Sequence, residues 1–338
     1  MRKHQAILQW GLILKNKKYL ITGGAGFIGS ALSRALLKAG HKVRILDNTS
    51  RGNLARLEDI KGKIEVIEGD IRDAKKVREA CESINSVFHL AFINGTEFFY
   101  SKPDLVLDVG VKGMVNIMDS CIDEGIKEFI LASSSEVYQK PPIIPTKEDV
   151  PLSIPDPHNP RYSYAGGKII SELMALNNGK HFDRVMIFRP HNVYGPDMGW
   201  EHVIPQFVLK MSEICTQNKD KKIDFPIKGT GKETRSFVFI EDLIQGVMLM
   251  LEKGEHLGIY NIGAMDEIPI SKVAVELGKI FGREVNVMPG EAVKGSAPRR
   301  CPDISKLKKL GYEPRITFSE GLGITAKWYI ENYDKKPK

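Results

Sequence analysis

The 338 residues are 42% hydrophobic and 27% charged, a globular composition with enough chain for one large α/β domain or two coupled lobes. No apolar run reaches the roughly 18–20 residues that span a bilayer, and no basic stretch alternates with aromatics as a nucleic-acid binder requires. The net charge of +7 suits an anionic small substrate such as a nucleotide diphosphate, with most of the lysines simply solvating the surface.

In chain order, Ala6–Leu14 is apolar and follows Arg2-Lys3-His4, but Lys15-Asn16-Lys17-Lys18 comes next with no small-residue cleavage site. The stretch reads as an extra N-terminal element or a start-site artefact rather than an export signal. Tyr19-Leu20-Ile21 is a short buried strand, Gly23 to Gly29 a turn, and Ser30–Ala39 a helix ended by Gly40. Lys42–Leu46, Ile64–Glu68 and Val87–Leu90 are further strands, with a crossover helix at Lys75–Ser83. A long helix at Val106–Glu124 precedes a strand at Phe129–Ala132, which delivers Ser133-Ser134-Ser135 at its carboxyl end. A proline-rich loop leads to a helix at Tyr164–Asn177 and a strand at Val185–Phe188. Beyond Pro190 the elements shorten: helices at Ile204–Cys215, Glu241–Leu251, Ser271–Phe281 and Ser319–Tyr333, a strand around Gly258–Ile262, and a Lys- and Asp-rich loop near 218–224. Alternating strand and helix predict an α/β fold, a Rossmann-type doubly wound parallel sheet over residues 17–190. Residues 191–338 form mainly a smaller substrate-binding lobe, with some interleaving. Cys81, Cys121, Cys215 and Cys301 are scattered without a C-x-x-C pair, which argues for a reducing, cytoplasmic setting and against a metal or disulfide framework.

Two segments carry chemistry. Gly23, Gly26 and Gly29 form G-x-x-G-x-x-G between a strand and a helix, so the backbone of Gly26-Phe27-Ile28-Gly29 can approach a pyrophosphate at the helix N-terminus. Asp47 ends the second strand, 18 residues after Gly29, where a carboxylate accepts from both ribose hydroxyls and repels a 2′-phosphate. The cofactor expected is therefore NAD, with Asn48 and the Asp70-Ile71 pair at its adenine end and Leu90-Ala91 beside it. Tyr164 and Lys168 are one helical turn apart on one face. A lysine cation beside a tyrosine favours phenolate and so makes a usable base. His89 reads as a packed structural residue.

These motifs resemble the extended short-chain dehydrogenase/reductases, the family of nucleotide-sugar epimerases, dehydratases and decarboxylases. The likeness runs from about residue 17 to 333. It includes TGGAGFIG, His89-Leu90-Ala91, Ser133-Ser134-Ser135-Glu136-Val137-Tyr138, the Tyr164/Lys168 pair, Arg189–Pro196, Gly231–Phe237 and Pro302–Lys306. It implies that Ser134 hydrogen-bonds the reacting sugar oxygen, Tyr164 is the base and Lys168 its electrostatic partner. Asn192, His202, Arg235 and Arg300 would contact a GDP- or UDP-type sugar nucleotide. It also implies a homodimer built on the helices Val106–Glu124 and Tyr164–Asn177. The expected activity is NAD-dependent epimerisation through a transient 4-keto-hexose. The alternatives are a 4,6-dehydratase or decarboxylase using Glu136, a net C4 dehydrogenase, or a non-enzymatic NAD-sensing relative. Glu136 points toward the dehydratases and decarboxylases, whereas Arg189–Pro196, with its His191, and Thr234–Phe237 are similar to the GDP-sugar epimerases. Gly110 departs from the family, which usually has Asn there, and Gln139 stands in place of Gly.

Overall fold

The structure, a computed structural model, describes residues 16–291 and 297–336. The apolar Ala6–Leu14 segment lies outside them.

Strands whose central residues are all apolar must be covered on both faces. Lys18–Thr22, Ser86–His89 and Glu128–Ala132 are such strands, and they form the middle of a seven-stranded parallel sheet. Its order runs Gly258–Ile262, Arg184–Pro190, Glu128–Ala132, Ser86–His89, Lys18–Thr22, Lys42–Asp47, Ile64–Glu68. On one face the helices Phe27–Lys38 and Ile240–Lys253 bury Leu32, Leu36, Leu243 and Val247. On the other, Ala74–Cys81, Pro103–Asp123 and Ser163–Asn177 bury Val77, Met114, Ile117 and Ala175. Local chemistry sets the helix starts. Asp73 caps Ala74–Cys81 by accepting from the Lys75 and Lys76 amides, and Pro103 supplies a preset first residue for the long helix.

The sheet order reverses between Lys18–Thr22 and Ser86–His89. A crevice therefore opens beyond the carboxyl ends of these two strands, where ligands bind on such sheets.

The later part of the chain differs from expectation in three respects. The expected loop near 218–224 gives way to a strand from Lys222 to Pro226, which pairs in parallel with Glu284–Met288. Ile223 and Phe225 point inward while Lys222, Asp224 and Pro226 face out, but the partner strand is too distant in sequence for a local signal to announce it. Thr234–Ser236 is also a strand, flanked by Glu267–Pro269 and Arg299–Arg300, with Arg300 in register beside Arg235. Gly258–Ile262 leaves the smaller elements and completes the edge of the main sheet.

Candidate active site

A cavity of about 790 Å³ follows the crevice from the glycine turn to Arg235 and Arg300, within the size range of small-ligand sites. Every residue singled out from the sequence as a cofactor, catalytic or substrate contact lines it.

At one end, the turn after Lys18–Thr22 brings backbone within reach of a ligand. Gly23 has φ +74°, and a Cβ on it would meet the Ala91 amide nitrogen at 2.8 Å. A Cβ on Gly29 would run into the Gly23 carbonyl. These close approaches leave the N-terminus of Phe27–Lys38 open to the cavity, with Gly26, Phe27 and Ile28 on its wall. Asp47 closes the second strand, and its carboxylate accepts from the Ala25 amide at 2.9 Å and the Thr49 amide at 2.8 Å. Burial raises its pKa despite these bonds. Asn48 donates to Asp70 at 2.9 Å, and Arg72 holds the Asp70 carboxyl down at about 2. Ile71, Leu90 and Ala91 complete this wall. The combination of helix N-terminus, close backbone and strand-end carboxylate fits a dinucleotide. His89 is buried against Thr22, Nδ1 to Oγ1 2.8 Å, and packs the strands together.

In the middle, Glu128–Ala132 places Ser133–Ser135 at its carboxyl end, and the helix Ser163–Asn177 presents Tyr164 and Lys168 opposite. Tyr164 lies between Phe99, stacked at 4.9 Å, and Phe92, edge-on at 5.1 Å. Burial pushes its phenol well above the ordinary tyrosine range, while the Ser134 hydroxyl works the other way. Lys168 Nζ donates to the Ala132 carbonyl at 2.7 Å. Burial pulls the Lys168 ammonium down to about 7, and the Glu172 charge opposes that pull. Glu172, one turn further along the helix, accepts from Arg189 at 2.8 and 2.6 Å and from the Ser133 hydroxyl. Arg189 in turn donates to the Tyr138 hydroxyl at 2.7 Å.

At the far end, Glu136 is gripped by Arg300 through two bonds of 2.5 and 3.2 Å, and Arg161 stands 3.9 Å away. Burial would raise the Glu136 carboxyl, but the Arg300 charge, with Arg161 and Arg235, outweighs it and keeps the group ionised. Burial and the neighbouring Arg300 charge bring Arg235 down to about 10. Asn192 donates to the Ser236 carbonyl at 3.0 Å, and His202, its pKa lowered by burial, lines the wall nearby. His191 is fully buried and bonds Asn261 at 3.2 Å, so it packs rather than facing the cavity.

Several cavity residues escaped the sequence reading. Arg161 is buried, its Nε without a partner among the described residues, and its signal was its place three residues before Tyr164. Glu172, buried behind Ser133 and not on the cavity wall, could have been found by helical spacing from Lys168. Arg51–Glu201 at 3.2 Å and Arg56–Asp197 at 2.8 Å link two cavity loops too distant in sequence to be paired by eye.

Comparison with known proteins agrees with this geometry. A family model described as the NAD dependent epimerase/dehydratase family matches residues 19–263. The chain is 33% identical over 327 residues to a UDP-N-acetyl-alpha-D-glucosaminuronate decarboxylase of Bacillus cytotoxicus, covering 93% of this chain and 98% of that one. Among solved structures it resembles DesIV, a dTDP-glucose 4,6-dehydratase of Streptomyces venezuelae with NAD bound. That likeness has a TM-score of 0.82 and 28% identity, over 94% of this chain and 98% of the other. It also resembles a UDP-glucose 4-epimerase of Thermotoga maritima with UDP-glucose, with a TM-score of 0.81 and 26% identity over 94% and 99% of the two chains.

Proposed function

Because the chain belongs to the NAD-dependent epimerase/dehydratase family, we propose that it acts on a nucleoside diphosphate sugar at C4 and decarboxylates a uronate at the neighbouring carbon. The supporting observation is Glu136: one carboxylate, held ionised by Arg300, next to Ser134 and Tyr164 in the cavity. Bound NAD supplies the hydride acceptor and later donor. The chain's own groups do the rest. The Ser134 hydroxyl orients the C4 oxygen, and Tyr164 takes its proton, helped by the Lys168 charge. Once C4 is a carbonyl, the C5–C6 bond of a uronate lies β to it. That bond breaks with its electron pair moving toward the C4 oxygen, carbon dioxide leaves, and C5 takes up a proton from water, relayed by the Glu136 carboxylate. Tyr164 then returns its proton to the C4 oxygen.

Loss of water would instead need an acid to protonate the leaving hydroxyl. Glu136 is ionised, and the neighbouring position is Ser135, so the site is better equipped for decarboxylation than for dehydration. The sequence by itself favours epimerisation. One feature supports that second reading: both Glu136 oxygens are occupied by Arg300, as in a purely structural ion pair.

We assign cofactor binding mainly to residues 17–190 and sugar-nucleotide binding mainly to 191–338, with Arg235, Arg300 and Arg161 facing the anionic part of the substrate. We also propose a homodimer across the packed helices Pro103–Asp123 and Ser163–Asn177, which leave Leu107, Val115, Ile170 and Leu173 exposed. The test is to incubate protein and NAD with UDP-glucuronate, UDP-N-acetylglucosaminuronate, and UDP-, GDP- and dTDP-hexoses, reading products by mass spectrometry and proton NMR. Release of carbon dioxide from a uronate supports decarboxylation. An isomer of unchanged mass overturns it in favour of epimerisation.

A further inference from the structure

Phe92 occupies a place that two glycines create. A Cβ on Gly110, in the helix Pro103–Asp123, would run into the far end of the Phe92 ring. A Cβ on Gly167, in the facing helix, would come within 2.8 Å of the same ring carbon. Seated there, the ring centroid lies 4.2 Å from Lys168 Nζ and 5.1 Å from the Tyr164 ring centroid, the two ring planes nearly perpendicular. We propose that Phe92 is a positioning residue for the Tyr164–Lys168 pair: its ring, seated against Gly110 and Gly167, presents its π-face to the Lys168 ammonium and holds that cation beside Tyr164. The inference rests on the use of this pair by the family and not on decarboxylation.

A buried ammonium loses its hydration and must be compensated. The groups around Lys168 are the Ala132 carbonyl, Tyr164 and Glu172 on its own helix, His89 at the end of its strand, and the Phe92 face. Arg189 is bonded to Glu172 by both nitrogens of its fork, so part of the Glu172 charge is already engaged. His89, buried and neutral, adds no charge. The aromatic face is therefore a substantial source of negative potential toward the cation, and cation–π contacts are strongest where water is excluded.

The test follows the titration of Lys168 by NMR in the full-length protein with ¹³C-labelled lysine, the signal assigned by its loss in Lys168→Met. Phe92→Leu keeps the apolar volume but removes the ring quadrupole. It is expected to lower the Lys168 midpoint by about one pH unit. Gly110→Ala, which pushes the ring off its seat, is expected to give a downward shift like that of Phe92→Leu, and to add little in the Phe92→Leu background. A merely structural role for Phe92 would lower the melting temperature and leave the midpoint in place. An unchanged or raised midpoint in Phe92→Leu overturns the proposal, as does full additivity of the two changes. Because the readout needs no turnover, it is independent of which sugar the enzyme uses.

Discussion

Replacing Glu172 by Gln tests how the helix carrying Tyr164 and Lys168 is held. Glu172 and Arg189 are each only 2% exposed, joined by bonds of 2.8 and 2.6 Å, and the Ser133 hydroxyl donates to the same carboxylate. The change leaves the Arg189 guanidinium buried among neutral acceptors, which among the described residues are the Tyr138 hydroxyl at 2.7 Å, the Glu148 carbonyl at 2.8 Å and the new amide oxygen. Removing one member of a buried pair costs about 3–5 kcal/mol. For a chain of this length that corresponds to a fall in melting temperature of roughly 4–7 °C. The same change also removes the negative charge that holds the Lys168 pKa up against burial. The Lys168 ammonium, already down at about 7, then titrates lower still. A reaction that needs the charged lysine loses activity at its alkaline edge first, so the upper limb of the pH–rate profile moves to lower pH. The assays are thermal denaturation and kcat across pH 5–9. A melting temperature within about a degree of the parent, together with an unmoved alkaline limb, would refute the reasoning, because a buried charge cannot lose its partner at no cost.

Glu136→Gln is expected to slow carbon dioxide release by about 10²–10⁴ while NAD affinity stays unchanged; a rate within about threefold of the parent makes the Glu136–Arg300 pair a structural one. His89 is buried and its pKa is lowered to about 3 from 6.5. The unfolded state therefore takes up a proton below pH 6.5 that the native state refuses, and stability falls as the pH drops. Between pH 7 and 5 this single group contributes a loss of about 2 kcal/mol. His89→Asn should flatten the slope by that amount in urea denaturation at the two pH values, and an unchanged slope places the histidine in contact with water. Leu173→Glu puts a charge on the most exposed apolar position of the paired helices, where 54% of the residue is accessible. A dimer in the parent that becomes a monomer by light scattering supports this interface; a dimer that survives places the contact elsewhere.

Much of the site is written in local chemistry. Gly23 and Gly29 are needed because the backbone itself comes close to neighbouring chain there, and only glycine leaves that space. Tyr164 and Lys168 share a face because an α-helix repeats every 3.6 residues, and Asp47 is legible because it ends Lys42–Leu46, whose Val43, Ile45 and Leu46 read as the strand that closes the unit opened by the glycine turn. Such features depend on a few consecutive residues, so the order of residues alone determines them. What only the tertiary structure decides is pairing across distance. Arg300 meets Glu136 across 164 residues because Arg299–Arg300 lies in register beside Thr234–Arg235. The strand Lys222–Pro226 needs Glu284–Met288 before its alternation has a face to bury. Gly110, which in the sequence is only a missing side chain, becomes in three dimensions the seat of Phe92. The pKa of Lys168 likewise cannot be read from its neighbours in the chain, since burial sets it, and burial is a property of the packed whole.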